Sequence, residues 1–201
     1  MTISKTKLKD ITELVIDYRG KTPKKLGGNW TEEGIRALSA KNIKDGKIIR
    51  EDTIRYVNEE LYNKWMKIEI NPKDILITSE APFGELYFWN STEKIVLSQR
   101  LFAIRPDKSK VYPEYLYFYM NSDEFQWELL SRSTGTTVTG LRQPELLKCS
   151  VKLPNMKTQQ KIAKLMYDIT KKIEVNNKIN NNFWFFKVFV QKQFCGGLNE
   201  I

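Results

Sequence analysis

Residues 157–194 read KTQQKIAKLMYDITKKIEVNNKINNNFWFFKVFVQKQF, and the rest of the chain is organised around this stretch. Large apolar residues recur in it at steps of mostly three and four, which is the spacing of one face of an α-helix. This face, with one polar interruption, consists of Ile162, Leu165, Ile169, Ile173, Asn176, Ile179, Phe183, Phe186, Val190 and Phe194. The spacing predicts a single helix of roughly 55 Å, at about 1.5 Å per residue. Thr158 is the predicted N-cap and Gly196-Gly197 the predicted stop.

A helix of this length carries more apolar face than one small domain needs to close its core. Such a seam usually meets a second helix along its length, so its members from Ile162 to Val190 are predicted to form a dimerisation surface. Asn176 lies within the seam, where a polar residue weakens packing but fixes register and partner. The alternative is an ordinary core helix that happens to be long.

Composition limits the chemistry that the chain can perform. Among 201 residues, 33 Lys and Arg stand against 24 Asp and Glu, and the resulting net charge of +9 suits a polyanionic partner. There is no histidine, which excludes Ser-His-Asp and Cys-His catalysis and most zinc sites. No glycine-rich nucleotide-binding motif is present either. We therefore expect no catalytic and no metal-binding residues, although carboxylates could still hold magnesium for a nuclease.

The sequence also carries an expectation about location. Two isolated cysteines, Cys149 and Cys195, suit a reducing cytosol. Residues 1–10 are polar and lysine-rich, unlike a signal peptide. The most apolar run, residues 183–190, is far too short to span a bilayer. These features predict a cytoplasmic protein without a membrane span.

A basic loop lies near the start of the chain, at residues 17–25, where Gly20 and Pro23 break regular structure. Its candidate DNA-binding residues are Tyr18, Arg19, Lys21, Lys24 and Lys25. Lysine and arginine suit phosphates, and a planar guanidinium also suits the edge of a guanine. The alternative is a solvated basic loop.

The middle of the chain reads as short strands with one short helix. Asp45-Gly46 predicts a tight turn between two strands, and residues 59–66 have helical spacing. Residues 74–78 and 85–89 predict strands on either side of a loop that carries Glu80. Residues 95–97 and 101–104 predict two more, around Ser98-Gln99-Arg100. Gln99 and Arg100 are candidate base readers, although Arg100 could instead pair with Glu80 or Glu85.

The last part of the globular region reads as two helices, a polar loop and a strand. The first helix starts at Pro113, and the second contains Phe125 and Trp127. Residues 131–140 are small and rich in hydroxyl groups, and such a loop can lie along a phosphate backbone. Its candidates are Arg132, Ser133, Thr136, Thr137 and Thr139. On composition alone it could equally be a plain connector before the strand at residues 149–153.

The residues at several positions resemble one known family, the specificity subunits of type I restriction-modification systems. The similarity covers nearly the whole chain. It rests on an ordered set of blocks: RGKTP at 19–23, KNIKDG at 41–46, DILIT at 74–78, EAPFG at 80–84, SQR at 98–100, GTT at 135–137, LP at 153–154 and QQKIA at 159–163. One block alone would be weak, whereas the order of the set is specific.

The resemblance implies an α+β fold with a target-recognition domain at residues 1–154 and a long dimerisation helix at residues 155–201. Family members usually carry two such domains, each followed by a long helix, and this chain has one of each. The resemblance therefore implies a half subunit, either natural or a fragment, whose two copies pair through an antiparallel coiled coil. A twofold assembly of this kind matches a palindromic bipartite DNA site.

The family also implies the partners and the DNA-binding residues. The partners are double-stranded DNA, methyltransferase subunits that use S-adenosylmethionine, and an endonuclease subunit that uses ATP and magnesium, with no cofactor in this chain. The implied DNA-binding set is Tyr18, Arg19, Lys21, Lys24, Lys25, Lys41, Glu80, Gln99, Arg100, Arg132, Ser133, Thr136, Thr137 and Thr139. Two other classes stay open at this point, a magnesium-dependent nuclease and an interaction scaffold that does not bind DNA.

Overall fold

The computed structural model describes residues 3–135 and 140–195, with the side chains of the last helix described as far as Asn180. The strands are β1 Ser4–Lys7, β2 Thr12–Asp17, β3 Ile35–Leu38, β4 Ile43–Lys44, β5 Lys47–Ile48, β6 Arg55–Val57, β7 Ile75–Thr78, β8 Leu86–Phe88, β9 Ile95–Leu97, β10 Leu101–Pro106 and β11 Ser150–Leu153. The α-helices are α1 Glu59–Trp65, α2 Pro113–Met120, α3 Asp123–Ser131, α4 Gln143–Leu147 and α5 Met156–Cys195. The predicted fold class, a mixed α and β chain with a long C-terminal helix, is confirmed.

Two sheets form the centre of the globular unit. One has four antiparallel strands in the order β2-β10-β7-β8, and the other has three in the order β6-β3-β9, with β3 and β9 parallel. Every residue of β7 is buried, as its continuous apolar sequence requires. Between the sheets, Trp65 and Trp89 belong to one buried cluster that includes residues from both. The turn from β9 to β10 therefore connects one sheet to the other.

A buried ion pair fixes the start of β7 to β10. Asp74 is 1% exposed, and Arg105 donates to both of its carboxylate oxygens at 2.9 and 2.8 Å. The backbone N–H of Asn71 also donates to Asp74 at 2.8 Å, so the buried charge is both paired and hydrogen-bonded. Asp74 also holds the pKa of Arg105 above its usual value.

The predicted turn at Asp45-Gly46 is confirmed. It joins β4 to β5, and both residues have positive φ angles, 50° and 68°. This is the geometry of a two-residue hairpin turn, for which Asp-Gly is a preferred sequence. A Cβ at Gly46 would lie 2.7 Å from the hydroxyl oxygen of Tyr117, so the position requires glycine for space as well as for its backbone angle.

Helix boundaries follow the local sequence signals. The side chain of Asn58 caps α1 by accepting from the N–H of Leu61, and that of Ser122 caps α3 by accepting from the N–H of Phe125. Pro113 is the first residue of α2, a position where its missing N–H costs nothing. The helices predicted at residues 59–66 and from Pro113 are therefore confirmed.

The two ends of the globular unit meet in a small sheet. β1 pairs antiparallel with β11, so the first described strand is held by the last one before α5. Residues 7–16 carry an apolar pattern compatible with helix or strand, and the structure contains both. Leu8–Ile11 form one turn of 3-10 helix, and β2 follows directly.

Helix α5 contains 40 residues, as the spacing of its apolar face predicts. The prediction of Thr158 as N-cap is wrong, because the helix begins at Met156 and the side chain of Asn155 accepts from the N–H of Thr158 at 2.9 Å. The predicted stop at Gly196-Gly197 lies outside the described residues. One compact unit of the chain runs to Gln160 and a second starts at Lys161.

Candidate nucleic-acid interface

The turn at residues 98–100 projects two polar side chains from a fixed backbone. The carbonyl oxygen of Gln99 accepts from the N–H of Ala40 at 3.1 Å, and that of Arg100 accepts from the N–H of Ser79 at 2.8 Å. The N–H of Ser98 donates to Leu38 at 2.8 Å. Three hydrogen bonds from two neighbouring segments thus hold the main chain of the turn, while the side chains of Gln99 and Arg100 are exposed. This arrangement presents hydrogen-bonding groups without the cost of ordering the backbone.

Two of the five described non-glycine residues with a positive φ angle lie at this turn or in the loop beside it. Arg100 has a φ angle of 61°, and Ala81, in the loop after β7, has a φ angle of 45°. This left-handed region is unfavourable for residues with a Cβ, and such strain persists only where the surrounding structure imposes it. Strained positions of this kind occur at turns as well as at binding sites, so the strain supports residues 98–100 as a candidate site only together with their exposure and charge.

Two open concavities lie on either side of this turn, and both are lined by Gln99 and Arg100. The first measures about 280 Å³, and its other polar or aromatic lining residues include Trp30, Lys41 and Arg55. The second measures about 600 Å³, and its lining includes Asp17, Arg19, Lys21, Glu80 and Gln143. The fold therefore brings together six of the predicted DNA-binding residues, Arg19, Lys21, Lys41, Glu80, Gln99 and Arg100.

Arg100 and Glu80 form an open ion pair in the second concavity. The Nε of Arg100 lies 3.4 Å from a carboxylate oxygen of Glu80, and the arginine side chain is 52% exposed. Of the two predicted alternatives, the partner is Glu80, because Glu85 instead accepts from the backbone N–H of Asp45 at 2.8 Å. An exposed pair of this kind contributes little to stability, so its guanidinium is available to an external ligand.

Arg19 is held by its own protein rather than presented to solvent. Its guanidinium donates to both oxygens of Asp17 at 2.7–3.1 Å and to the carbonyl oxygen of Leu141 at 3.1 Å. It also lies 4.6 Å from the centre of the Phe102 ring, within range of a cation–π interaction. Arg19 thus joins the basic loop, β10 and the segment before α4, which is a positioning role within the site.

Tyr18 and Lys21 also form hydrogen bonds to the backbone of other segments. The Nζ of Lys21 donates to the carbonyl oxygen of Trp65 at 2.7 Å and lies 4.5 Å from the centre of the Tyr18 ring. The hydroxyl oxygen of Tyr18 accepts from the N–H of Ile68 at 2.7 Å. Burial lowers the pKa of Lys21 below its usual value, and the nearby charge of Lys67 lowers it further. Lys21 lines the second concavity, but its ammonium already has a partner.

Lys24 and Lys25 lie in the same loop but do not line either concavity. Residues Lys24–Leu26 form a turn of 3-10 helix, and both lysines are exposed. The Nζ of Lys25 donates to the carbonyl oxygen of Gly20 at 2.8 Å. The two lysines add positive charge to the surface beside the second concavity.

The predicted contacts at the end of α3 lie elsewhere. Arg132 pairs with Glu128 at 3.0 Å, and this hydrogen bond raises the pKa of Arg132. Glu128 also accepts from the N–H of Ser150 at 3.0 Å, so Arg132 helps to fix α3 against β11. The hydroxyl of Ser133 donates to Leu130 at 2.6 Å. Three further predicted contacts lie outside the described residues, namely Thr136, Thr137 and Thr139.

Three residues that line the concavities were not predicted from the sequence, namely Trp30, Arg55 and Gln143. Trp30 and Arg55 line the first concavity, and the guanidinium carbon of Arg55 lies 5.3 Å from the centre of the Trp30 ring. Gln143 lines the second concavity near Arg19. Strict alternation along β6 puts Arg55 on the same face as the buried Val57, so the sequence did not predict that Arg55 is exposed. Nothing in the sequence near Trp30 or Gln143 indicates a site.

Within the described residues, no group of three or more His, Cys, Asp or Glu side chains is placed to hold a metal ion. Burial raises the pKa of the Cys149 thiol to about 12, so this cysteine is protonated at neutral pH. Across the described part of the chain, no helix is both long and apolar enough to cross a bilayer.

Helix α5 carries a second surface of interest. The seam residues whose side chains are described remain between 37% and 61% exposed, namely Ile162, Leu165, Ile169, Ile173 and Ile179. Asn176 is also exposed, and the side chains of Phe183, Phe186 and Val190 lie outside the described residues. A row of exposed isoleucine and leucine at helical spacing is typical of a helix that packs against a partner.

Comparison with known proteins gives a consistent result. The model of the family described as "Type I restriction modification DNA specificity domain" matches residues 2–182. The MjaVIII specificity subunit of Methanocaldococcus jannaschii is 26% identical over 154 residues, which is 74% of this chain and 36% of that protein.

Solved structures show the same fold. The HsdS subunit from Thermoanaerobacter tengcongensis aligns with a TM-score of 0.64 at 13% identity, over 95% of this chain and 48% of that one. The S subunit from M. genitalium aligns with a TM-score of 0.62 at 13% identity, over 98% and 47%. The chain thus spans 36–48% of the length of these relatives.

Proposed function

Because this chain belongs to the type I restriction-modification DNA specificity family, we propose that its globular unit reads one half of a bipartite DNA site. In this proposal the chain carries out no chemistry of its own. It supplies sequence recognition to a complex whose other subunits modify or cleave DNA.

The observation that carries the proposal is the turn at residues 98–100. A backbone held by hydrogen bonds to two neighbouring segments presents Gln99 and Arg100 to both concavities, and Arg100 has a strained φ angle. Arginine suits the acceptors of guanine, and glutamine suits the paired donor and acceptor of adenine in the major groove. Glu80, next to Arg100, can orient the guanidinium or accept from a cytosine amine.

We further propose that two recognition units are joined through α5. The chain spans less than half the length of the relatives compared above, and its helix exposes a seam of large apolar residues. Pairing of two identical helices would bury both seams and generate a twofold assembly, which matches a palindromic site. A related chain could supply the second half in the same way, and the measurement of assembly described below separates these cases.

The remaining partners are proposed from the family alone. They are methyltransferase subunits, with S-adenosylmethionine as their cofactor, and an endonuclease subunit that uses ATP and magnesium. The site of action would be the cytoplasm, where these subunits meet the DNA.

The decisive experiment maps methylated adenines in DNA exposed to this chain together with its methyltransferase subunit. We expect methylation at one bipartite, palindromic motif. Arg100→Ala should relax the choice at one base position by about 1–3 kcal/mol, because a paired contact to a base edge is lost. Lys108→Ala, beyond the far end of β10, is the control and should leave the motif unchanged. A complex that methylates at random, or chain and partner that bind no duplex, would reject the proposal.

Helix pairing can be tested separately. Replacing both Ile169 and Ile173 with Asp should convert a dimer into monomers, because an unpaired charge buried in the seam costs several kcal/mol. Light scattering measures the mass directly. The matched control replaces Lys164 and Lys171 with Asp, since these exposed residues lie off the seam on the same helix. A wild-type chain that stays monomeric with the methyltransferase subunit present would exclude pairing between identical copies.

A further inference from the structure

We infer that the first concavity is a clamp for the sugar-phosphate backbone, in which Lys41 and Arg55 hold phosphate oxygens beside Trp30. The second concavity is then the place where bases are read. This inference rests on the proposed function, since it assumes that DNA lies across the turn at residues 98–100. It adds Arg55 and Trp30, which the sequence did not indicate, to the contact surface.

The two concavities differ in the sign of their charges. Among the described residues that line the first, the ionisable side chains are Lys41, Arg55 and Arg100, with no carboxylate. The second combines cations with two carboxylates, Asp17 and Glu80. A purely cationic surface suits phosphates, which only accept hydrogen bonds, whereas base edges need donors and acceptors together. The charge pattern therefore separates backbone contact from base reading.

The cations of the first concavity are available for a ligand. Among the side chains that the structure describes, neither Lys41 nor Arg55 has a carboxylate within 4.0 Å. This contrasts with Arg36 on the neighbouring strand, which pairs with Glu93 at 2.7 Å. A phosphate bound here would replace water rather than an internal salt bridge.

Arg55 is nevertheless held in place. Its guanidinium carbon lies 5.3 Å from the centre of the Trp30 ring, and that ring packs 6.0 Å from the ring of Trp65, which is fully buried. The N–H donors of a guanidinium lie in its own plane, whereas the indole ring attracts its charge from above that plane. The donors of Arg55 therefore stay free to bond to a ligand. The indole thus orders the arginine before a ligand arrives, which lowers the entropy cost of binding.

Two of the three hydroxyl groups that line the first concavity already have acceptors within the protein. Ser39 donates to the side chain of Asn42 at 2.8 Å, and Thr53 donates to the carbonyl oxygen of Arg50 at 2.9 Å. The donors left for a ligand are therefore mainly the cationic side chains, together with the Ser98 hydroxyl and the Gln99 amide. A group rich in acceptors and negatively charged, such as a phosphodiester, fits this set best.

The test compares Arg55→Gln and Lys41→Gln with Lys108→Gln, each of which removes one positive charge. Affinity for the mapped duplex and for a scrambled duplex is measured between about 50 and 200 mM sodium chloride, with the methyltransferase subunit present. Arg55→Gln and Lys41→Gln should each reduce the slope of log K against log salt by about 1. The ratio of the two affinities should stay at its wild-type value, because a phosphate contact carries no sequence information.

Lys108→Gln should leave the slope unchanged, since the residue lies beyond the far end of β10, roughly 20 Å along the strand from Arg100. An unchanged slope in both test variants would overturn the inference, and so would a change in the affinity ratio. Replacement of chloride by inorganic phosphate at equal ionic strength should weaken duplex binding more in the wild type than in Arg55→Gln, because free phosphate competes for the same donors. Equal weakening in the two would count against phosphate contact through Arg55. A wild-type chain that binds no duplex would reject the proposed function itself.

Discussion

Two basic stretches, residues 17–25 and residues 98–100, look alike in the sequence and differ in the folded chain. Both are polar, both contain arginine, and both are candidates for DNA contact on charge alone. In the first, Arg19 and Lys21 donate to groups of their own protein. In the second, Gln99 and Arg100 extend into solvent from a fixed backbone. The comparison shows that charge in a loop does not reveal which way its donors point.

The difference has a physical cause. Arg19 and Lys21 bond to the carbonyl oxygens of Leu141 and Trp65, which lie 122 and 44 residues away along the chain. Trp65 is the last residue of α1 and Leu141 lies just before α4, so neither carbonyl oxygen has a donor within a helix or strand. Around residues 98–100, in contrast, backbone groups of two neighbouring segments bond to the main chain, and Glu80 is the partner of the Arg100 guanidinium among the described side chains.

The largest expected effect is on stability, and it falls on the first stretch. Arg19→Ala should lower the free energy of unfolding by about 2–3 kcal/mol, because the partly buried Asp17 carboxylate and the Leu141 carbonyl lose the guanidinium that bonds to both. Urea unfolding measures this loss as a lower midpoint at unchanged slope. Lys25→Ala removes the same charge from the exposed end of the same loop and should change stability by less than about 0.5 kcal/mol. Equal losses in the two variants would remove the distinction between the stretches.

The sequence contained part of this information. Asp17 lies two residues before Arg19, and its carboxylate accepts from both the side chain and the backbone N–H of Arg19. A local Asp-x-Arg pair of this kind is visible in the sequence and argues for internal use of the arginine. The bond from Arg19 to Leu141 is not visible, because it depends on how two distant segments pack.

The same limit applies to the fold. The turn at Asp45-Gly46 and the long helix could be predicted, since each depends on residues close together in sequence. The capping residue of α5 could also have been found, because Asn155 is as good a cap as Thr158 and lies directly after Pro154. The first concavity could not, since Trp30, Arg55 and Arg100 come from three separate segments.

A smaller effect tests the strain in the second stretch. Arg100→Gly and Arg100→Ala both remove the guanidinium, but glycine adopts a φ angle of 61° without the steric cost that a Cβ imposes. We expect the glycine variant to be more stable than the alanine variant by about 1 kcal/mol, as measured by thermal or urea unfolding. The pair cancels any effect of lost charge, so the difference reports the backbone alone.

The matched pair is at Gln99, which is not among the residues with positive φ. There the order should reverse, with Gln99→Ala more stable than Gln99→Gly, because glycine loses more conformational freedom on folding. Equal stabilities of the two Arg100 variants would mean that the turn relaxes without its side chain. The backbone would then not be fixed, and the contrast with residues 17–25 would weaken.

The smallest effect concerns the proton of Lys21. Burial, and secondly the charge of Lys67, lower the pKa of Lys21 below its usual 10.5 in the folded chain. The unfolded chain then binds more protons at alkaline pH, so the stability contributed by Lys21 rises as the pH passes from the folded pKa to the unfolded one, and is constant above it.

The measurement is the difference in unfolding free energy between wild type and Lys21→Met, from neutral pH to about pH 10.5. We expect this difference to shift in favour of the wild type as the pH rises. In the background of Lys67→Gln the rise should be smaller but still present, because burial is the larger cause. A difference that does not change with pH would mean that the Lys21 ammonium is open to solvent. Residues 17–25 would then be available for contact with DNA, as residues 98–100 are, rather than serving a structural role.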